Sequence, residues 1–311
     1  YFMEFKAIGT HVGGDQEAIR RLQTSSARYY QRPGSGLPYD TSGTKLTGMG
    51  ASFEIGKWSK GHWRYSEEVV IRTPGLEFND LGFMNIANTL ENDTRLSYVE
   101  KENKWIFKDY EVSLSQENTW NLQGKGLGYG LELGANFNFL NHWGLYLGAE
   151  YSTGIVDEQR LRGGPSIREP DRFHYMVSMN TDSSKKIYFS LFAMYMYRIT
   201  GNFHFFIISP QVHYRPFSNL HISLDAAYER DLDPLQYIGR YQTLAGKPFW
   251  LLGTVDKRDL SLTLRIDLAI TPELTIQYYG SPFFSIGKFS GPKTVRKPLK
   301  SSRNKKIYHL Y

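Results

Sequence analysis

Leu260-Ser-Leu-Thr-Leu-Arg-Ile-Asp-Leu-Ala-Ile270 places a large apolar residue at every second position. In a strand, successive side chains point to opposite faces. One face of this segment is then Leu and Ile, and the other carries Ser, Thr, Arg265, Asp267 and Ala. The second face needs water or ionic partners. The same pattern returns at short spacing along most of the chain. Leu131 to Phe139 alternates Leu, Leu, Ala, Phe, Phe with Glu132, Gly, Asn, Asn. Leu145 to Ser152 repeats it with Glu150 on the polar side. Leu220 to Glu229 sets Leu220, Ile222, Leu224, Ala226 and Tyr228 against His221, Ser223, Asp225, Ala227 and Glu229. Alternation on nearly every strand is what a lipid-facing β-barrel requires, whereas a soluble domain needs it only over a core.

Composition agrees. The 311 residues are 15% aromatic, with 22 Tyr and 19 Phe, which favours strands and interfacial girdles over helical bundles. A mean hydropathy of -0.45 and the lack of any run of ~18 to 20 apolar residues exclude helical spans. Neither bears on a barrel, half of whose wall is polar. There is no cysteine, so disulfides and thiolate metal sites are excluded. The net charge of +6 is concentrated in Lys288 to Lys306, which holds basic residues and no acid. Such a tail reads as a solvated or anionic-surface segment, not as a nucleic-acid reader. Beginning at Tyr1 without an initiator Met, the chain reads as processed or as a fragment.

The expected organisation is an all-β, antiparallel transmembrane β-barrel of roughly 14 or more strands over residues 1–290, followed by a basic tail or loop at 291–311. Asp15 is expected to cap a short helix through Ala27, and 31–43 is a Pro/Gly-rich loop. Residues 77–93 read as a loop with a helical turn, 155–171 as a long polar loop, and Asp231 to Pro234 as another loop. Phe249 to Val255 and Leu260 to Ile270 read as separate strands. Trp63, Trp105, Trp143, Tyr151, Tyr228 and Trp250 fall near strand ends, where amphipathic rings suit a membrane–water boundary.

Several groups are candidates for chemistry. Gly124-Lys-Gly-Leu-Gly-Tyr-Gly130 resembles a phosphate loop, but a strand follows it where a helix is needed; glycines kinking the wall, as at Gly48 and Gly50, fit better. Asp231 and Asp233 are candidate calcium contacts, without the glycine and final Glu of an EF-hand. His204 and His213 lack zinc-motif spacing. Ser223 and His221 share a face, as a hydrolase would need, but that face is expected to be the lumen, and polar lining explains them without chemistry. Glu132, Glu150, Asp225, Glu229, Arg265 and Asp267 are expected to point into the lumen, pairing across it or setting its field. No cofactor is implied.

Four blocks carry a family resemblance: Gln23-Thr-Ser-Ser-Ala-Arg-Tyr-Tyr-Gln-Arg-Pro33, Arg72-Thr-Pro-Gly-Leu-Glu-Phe-Asn-Asp-Leu-Gly-Phe83, Arg162-Gly-Gly-Pro165 and Thr271-Pro-Glu-Leu-Thr-Ile-Gln-Tyr-Tyr-Gly-Ser-Pro-Phe283. Together they resemble the C-terminal barrel region of a Bacteroidota outer-membrane family of unknown function. Its members commonly carry an N-terminal carbohydrate-binding domain of the family-nine type. The resemblance implies a Gram-negative outer membrane, contact with lipid and lipopolysaccharide, and a non-enzymatic barrel. Such a barrel would anchor or gate a glycan-handling module, or join other envelope proteins in a complex. A passive diffusion pore and a hydrolase of lipid or glycan are the alternatives. This chain has no counterpart of the carbohydrate-binding domain or of the first barrel strands, and 291–311 does not alternate, so closure within it stays open.

Overall fold

A computed structural model describes residues 1–25, 40–79 and 82–295, with the backbone of 299–300 and 306–307. The fold is all-β. Fourteen strands form one antiparallel sheet: β1 (Phe2–Gly13), β2 (Lys45–Lys57), β3 (Trp63–Arg72), β4 (Thr89–Glu100), β5 (Phe107–Asn121), β6 (Gly126–Phe139) and β7 (Gly144–Thr153), then β10 (Arg172–Asn180), β11 (Ile187–Arg198), β12 (His204–Phe217), β13 (Leu220–Gln242), β14 (Pro248–Thr271), β15 (Leu274–Gly280) and β16 (Phe283–Thr294). The two-residue strands β8 (Val156–Asp157) and β9 (Ile167–Arg168) pair within the β7–β10 loop, and β17 (Leu299–Lys300) pairs with β18 (Lys306–Ile307). From β1 to β15 each sheet strand pairs with the next strand of the sheet in chain order, as in a meander. β15 and β16 both lie along β14, so they form one edge interrupted at Ser281-Pro282, where proline has no N–H to donate. That edge and β1 stay unpaired, and the sheet does not close among the described residues.

The one helix among the described residues, α1 (Gln16–Thr24), starts where Asp15 accepts a bond from the Ala18 N–H at 2.7 Å, and it buries Ile19. The helix expected to reach Ala27 therefore stops at Thr24. Most of the Gln23–Pro33 block, of the 31–43 loop and of the basic tail lies outside the described residues. The last strand runs on to Thr294, past Gly291.

Two expectations about strands are corrected. Asp231 to Pro234 is not a loop but the middle of β13, and the segments read as separate strands at 249–255 and 260–270 are the single strand β14. Asp256-Lys257-Arg258-Asp259 breaks the apolar rhythm and so mimics a turn. The strand continues because these charges are satisfied from its neighbour: Arg230 bonds both oxygens of Asp256 at 2.9 and 3.0 Å. The described residues of 73–88 contain no helix, and β4 begins at Thr89.

Burial is inverted relative to a water-soluble sheet. Among the described residues, buried polar and charged side chains outnumber buried apolar ones, while Leu96, Leu114, Leu133, Leu147, Phe189, Val212, Leu224 and Leu262 stand exposed. Register places these exposed residues on one face. In β12–β14, Val212 faces Leu224 and Leu224 faces Leu264; on the opposite side His213 faces Ser223 and Ser223 faces Arg265. The polar face is the concave one. In sheet order β5 and β14 stand seven neighbours apart, about 34 Å along a flat sheet. Yet Glu158 bonds Asn121 on β5 while Leu161, three residues on, packs with Leu252 on β14. Three residues reach only about 10 Å, so the sheet must curl around this loop.

The connections are unequal at the two ends. One end has the tight links 58–62, 101–106, 140–143, 181–186, 218–219 and 272–273. The other has 14–44, 73–88 and 154–171 among shorter links, and there β13 and β14 project furthest. Loops 73–88 and 154–171 fold inward and build the two apolar clusters found among the described residues. Leu76, Met84 and Ala87 pack on Leu46, and Leu161 and Ile167 pack on Leu235 and Leu252. Gly48 and Gly75 are required for the first contact, since a Cβ at Gly48 would lie 2.0 Å from the Leu76 nitrogen. Gly48, expected to kink the wall, serves this close approach.

Candidate functional site

The two inward loops and the polar face of β5, β6, β7, β10 and β11 enclose a cavity of about 570 Å³ at the long-loop end. Asn85 to Asn88 line it from one loop and Ile155 to Arg160 from the other, with Glu117, Glu150, Arg172 and Arg198 on the wall. Its volume lies within the range of ~300 to 1,000 Å³ usual for small-molecule sites.

A buried ionic cluster ties the loop to the wall. Arg160 contacts Asp157 at 3.1 Å, Glu169 at 2.8 Å and Asp233 of β13 at 3.0 Å. Arg198 donates to Glu169 at 2.7 Å, lies 3.8 Å from Asp233, and stacks on Phe203 with its guanidinium carbon 4.2 Å from the ring centre. Burial alone would lower the pKa of Arg160, but Glu169, Asp157 and Asp233 outweigh it and hold the guanidinium charged. Lys125, at the β5–β6 turn, reaches Glu158 at 2.8 Å and Ser166 at 2.7 Å. Asp171, at the loop's end, is held below the usual carboxylate range by the Tyr151 hydroxyl, despite partial burial, and by Thr153. These bonds make the 154–171 loop a docked plug with a fixed conformation.

The six charges expected in the lumen all fall on the concave face by register: Glu132 opposite Glu150, Asp225 opposite Thr263, Glu229 opposite Asp259, Ser223 opposite Arg265, and His221 opposite Asp267. They are not one site. Glu150 lines the cavity and contacts His174 at 3.4 Å, Glu132 accepts from Tyr146 at 2.9 Å, and Asp267 lies by the tight turns, 3.9 Å from His221. Asp233 is engaged by Arg160 and Arg198 and faces no cation site; Asp231 lies opposite Lys257. No group of three metal-ligating side chains occurs among the described residues. His213 stacks on Tyr188 and lies 3.3 Å from His221, whereas His204 bonds Tyr195 elsewhere. Ser223 is buried without a bond to either histidine, so nothing there activates a nucleophile.

Of the aromatic residues, Trp63 packs edge-on to Tyr98, Tyr151 packs on Phe173, and Tyr228 lies opposite Leu260 on the apolar face. Trp105 and Trp143 project from the tight-turn end. Trp250 differs: it packs against Gly164 of the plug, where a Cβ would come within 2.6 Å of the indole. Sequence reasoning missed Arg160, Glu169, Arg172 and Arg198. Arg160 and Glu169 sit in a segment read only as polar loop, and the two wall arginines carry no motif.

With this geometry in place, comparison is informative about lineage. The profile of a family described as a domain of unknown function, DUF5916, matches residues 22–302. The chain belongs to this family. The match covers the sheet from β2 through β16, including both inward loops, and leaves out β1. No curated protein and no solved structure matches the chain. Among the described residues of this DUF5916 chain no helix is long and apolar enough to cross a membrane, a statement silent on β-barrels.

Proposed function

We propose that this sheet is the wall of a transmembrane β-barrel in a Gram-negative outer membrane, and that its role is non-enzymatic. The observation that carries the reading is the inverted burial: Leu, Ile and aromatic side chains on the convex face, serines and ion pairs on the concave one. Water at the convex face would leave a very large continuous apolar surface exposed, far beyond the few hundred Å² common on soluble monomers. Hydrocarbon there removes the conflict. The apolar run Leu260 to Ile270 spans about 33 Å along β14, which a tilt of about 40° reduces to about 25 Å, the height of a barrel's lipid-facing band. Beyond it the same face turns charged at Arg230, Asp256 and Arg258. Short turns at one end and long loops at the other match periplasmic and external sides. The free edges at β1 and β15/β16 must then be paired, with each other or with further strands, because lipid does not tolerate open edges.

On this reading the docked plug makes the barrel an anchor or gate for a glycan-handling module, or a subunit of a larger envelope complex, rather than a passive pore. The glycan element rests on the family resemblance alone. The test is reconstitution of purified protein into planar bilayers and phospholipid vesicles. Resistance to alkaline-carbonate extraction without steady ion current is expected. A protein that stays soluble without detergent sinks the membrane reading, and a stable current from pure protein sinks the plugged-anchor reading.

A further inference from the structure

Across the strands at one level of the concave face, register sets Glu4, Glu54, Glu68, Asp93 and Glu117 directly opposite one another in succession. The row continues through Gly130 and Ser152 to Arg172 and Arg198. Like charges directly opposite each other destabilise a sheet, so a run of acids beside a pair of arginines needs a reason. Glu4 has Lys6 at 3.0 Å, but among the described residues Glu54, Glu68, Asp93 and Glu117 form no ion pair. Arg172 donates its Nε only to Ser152, at 3.2 Å. Arg198, whose side chain is 5% exposed, keeps Nε and Nη1 without a hydrogen-bond acceptor. Glu117, Gly130, Ser152, Arg172 and Arg198 all line the cavity described above. Acidic and basic walls thus face one another across a gap where Gly130 contributes no side chain. From β5 to β10 the backbones stand about 14 Å apart, which long Glu and Arg side chains narrow from both sides.

We infer that this cavity binds a zwitterionic amino compound, a free amino acid or short peptide, with its ammonium toward Glu117 and Glu150 and its carboxylate toward Arg172 and Arg198. A simple anion would meet the acids, and a simple cation the arginines; only a ligand carrying both charges matches both walls.

The experiment is calorimetric titration of the purified full chain in detergent with glycine, triglycine, N-acetyltriglycine and triglycine amide. One or both of the uncapped compounds should bind, and each capped peptide should bind at least about 10-fold more weakly than triglycine, the loss of one charge-assisted contact. Arg172→Gln should weaken binding of the uncapped ligand by a similar factor, as should Glu117→Gln, with circular dichroism of each variant unchanged. Equal affinity for capped and uncapped peptides, no heat with any of the four, or retained affinity in both folded variants overturns the inference. The site lies wholly on the concave face, so these outcomes do not depend on what covers the convex one.

Discussion

The docked loops and the sheet that surrounds them obey opposite rules. In the loops, Leu76, Leu161 and Ile167 are fully buried and their charged neighbours are paired, as water dictates. In the wall, Leu224 is 47% exposed while Ser223 beside it is buried. The contrast is the ground of the membrane proposal, in which hydrocarbon covers the convex face, while the loops carry the fold's conventional core.

The largest expected effect concerns the loop. Arg160→Met leaves Asp157, Glu169 and Asp233 short of their shared cation, and breaking a buried pair in this way costs about 3 to 5 kcal/mol. Hydrogen exchange should show the 154–171 segment losing protection while the wall strands keep theirs. Equal loss in both regions would erase the distinction between them. Next, Leu224→Arg should cost about 2 to 4 kcal/mol in a bilayer. The same change at a half-exposed surface position in water costs within about 0.5 kcal/mol. Equilibrium folding into vesicles separates the two values. Smaller again, Ile167→Val should loosen the plug by about 0.5 to 1.5 kcal/mol, read as faster proteolysis within 154–171. The smallest effect is on pH. Asp171 has its pKa lowered on folding by Tyr151 and Thr153, so its contribution is complete above the unfolded value of ~3.9 and is lost as pH falls through the folded one. Exchange at the loop's end should therefore rise in acid, and Tyr151→Phe should move that rise to higher pH.

Most of the sheet was legible because period-two alternation is written residue by residue: the segments around Leu133, Leu147, Leu224 and Leu264 need no distant information to be read as strands. That Glu132, Glu150, Asp225, Glu229, Arg265 and Asp267 share one face followed from the same parity. What was illegible depends on partners remote in sequence. Asp256 to Asp259 looks like a turn until Arg230 lies beside it. Trp250 looks like a boundary residue until Gly164 docks on it. Leu161 and Ile167 are two apolar residues in a polar stretch, with no period to announce a core. The cavity arginines are far apart in the chain, and only the register brings Arg172 opposite Arg198.

Because the chain has no cysteine, single Cys substitutions carrying a spin label give the most direct test of the central claim, the contrast between the two faces. Labels at consecutive positions 260 to 270 of vesicle-reconstituted protein should alternate. High accessibility to oxygen at 260, 262, 264, 266 and 268 should interleave with low oxygen accessibility at 261, 263, 265 and 267. Uniform access of a water-soluble nickel chelate along the whole run would contradict the account.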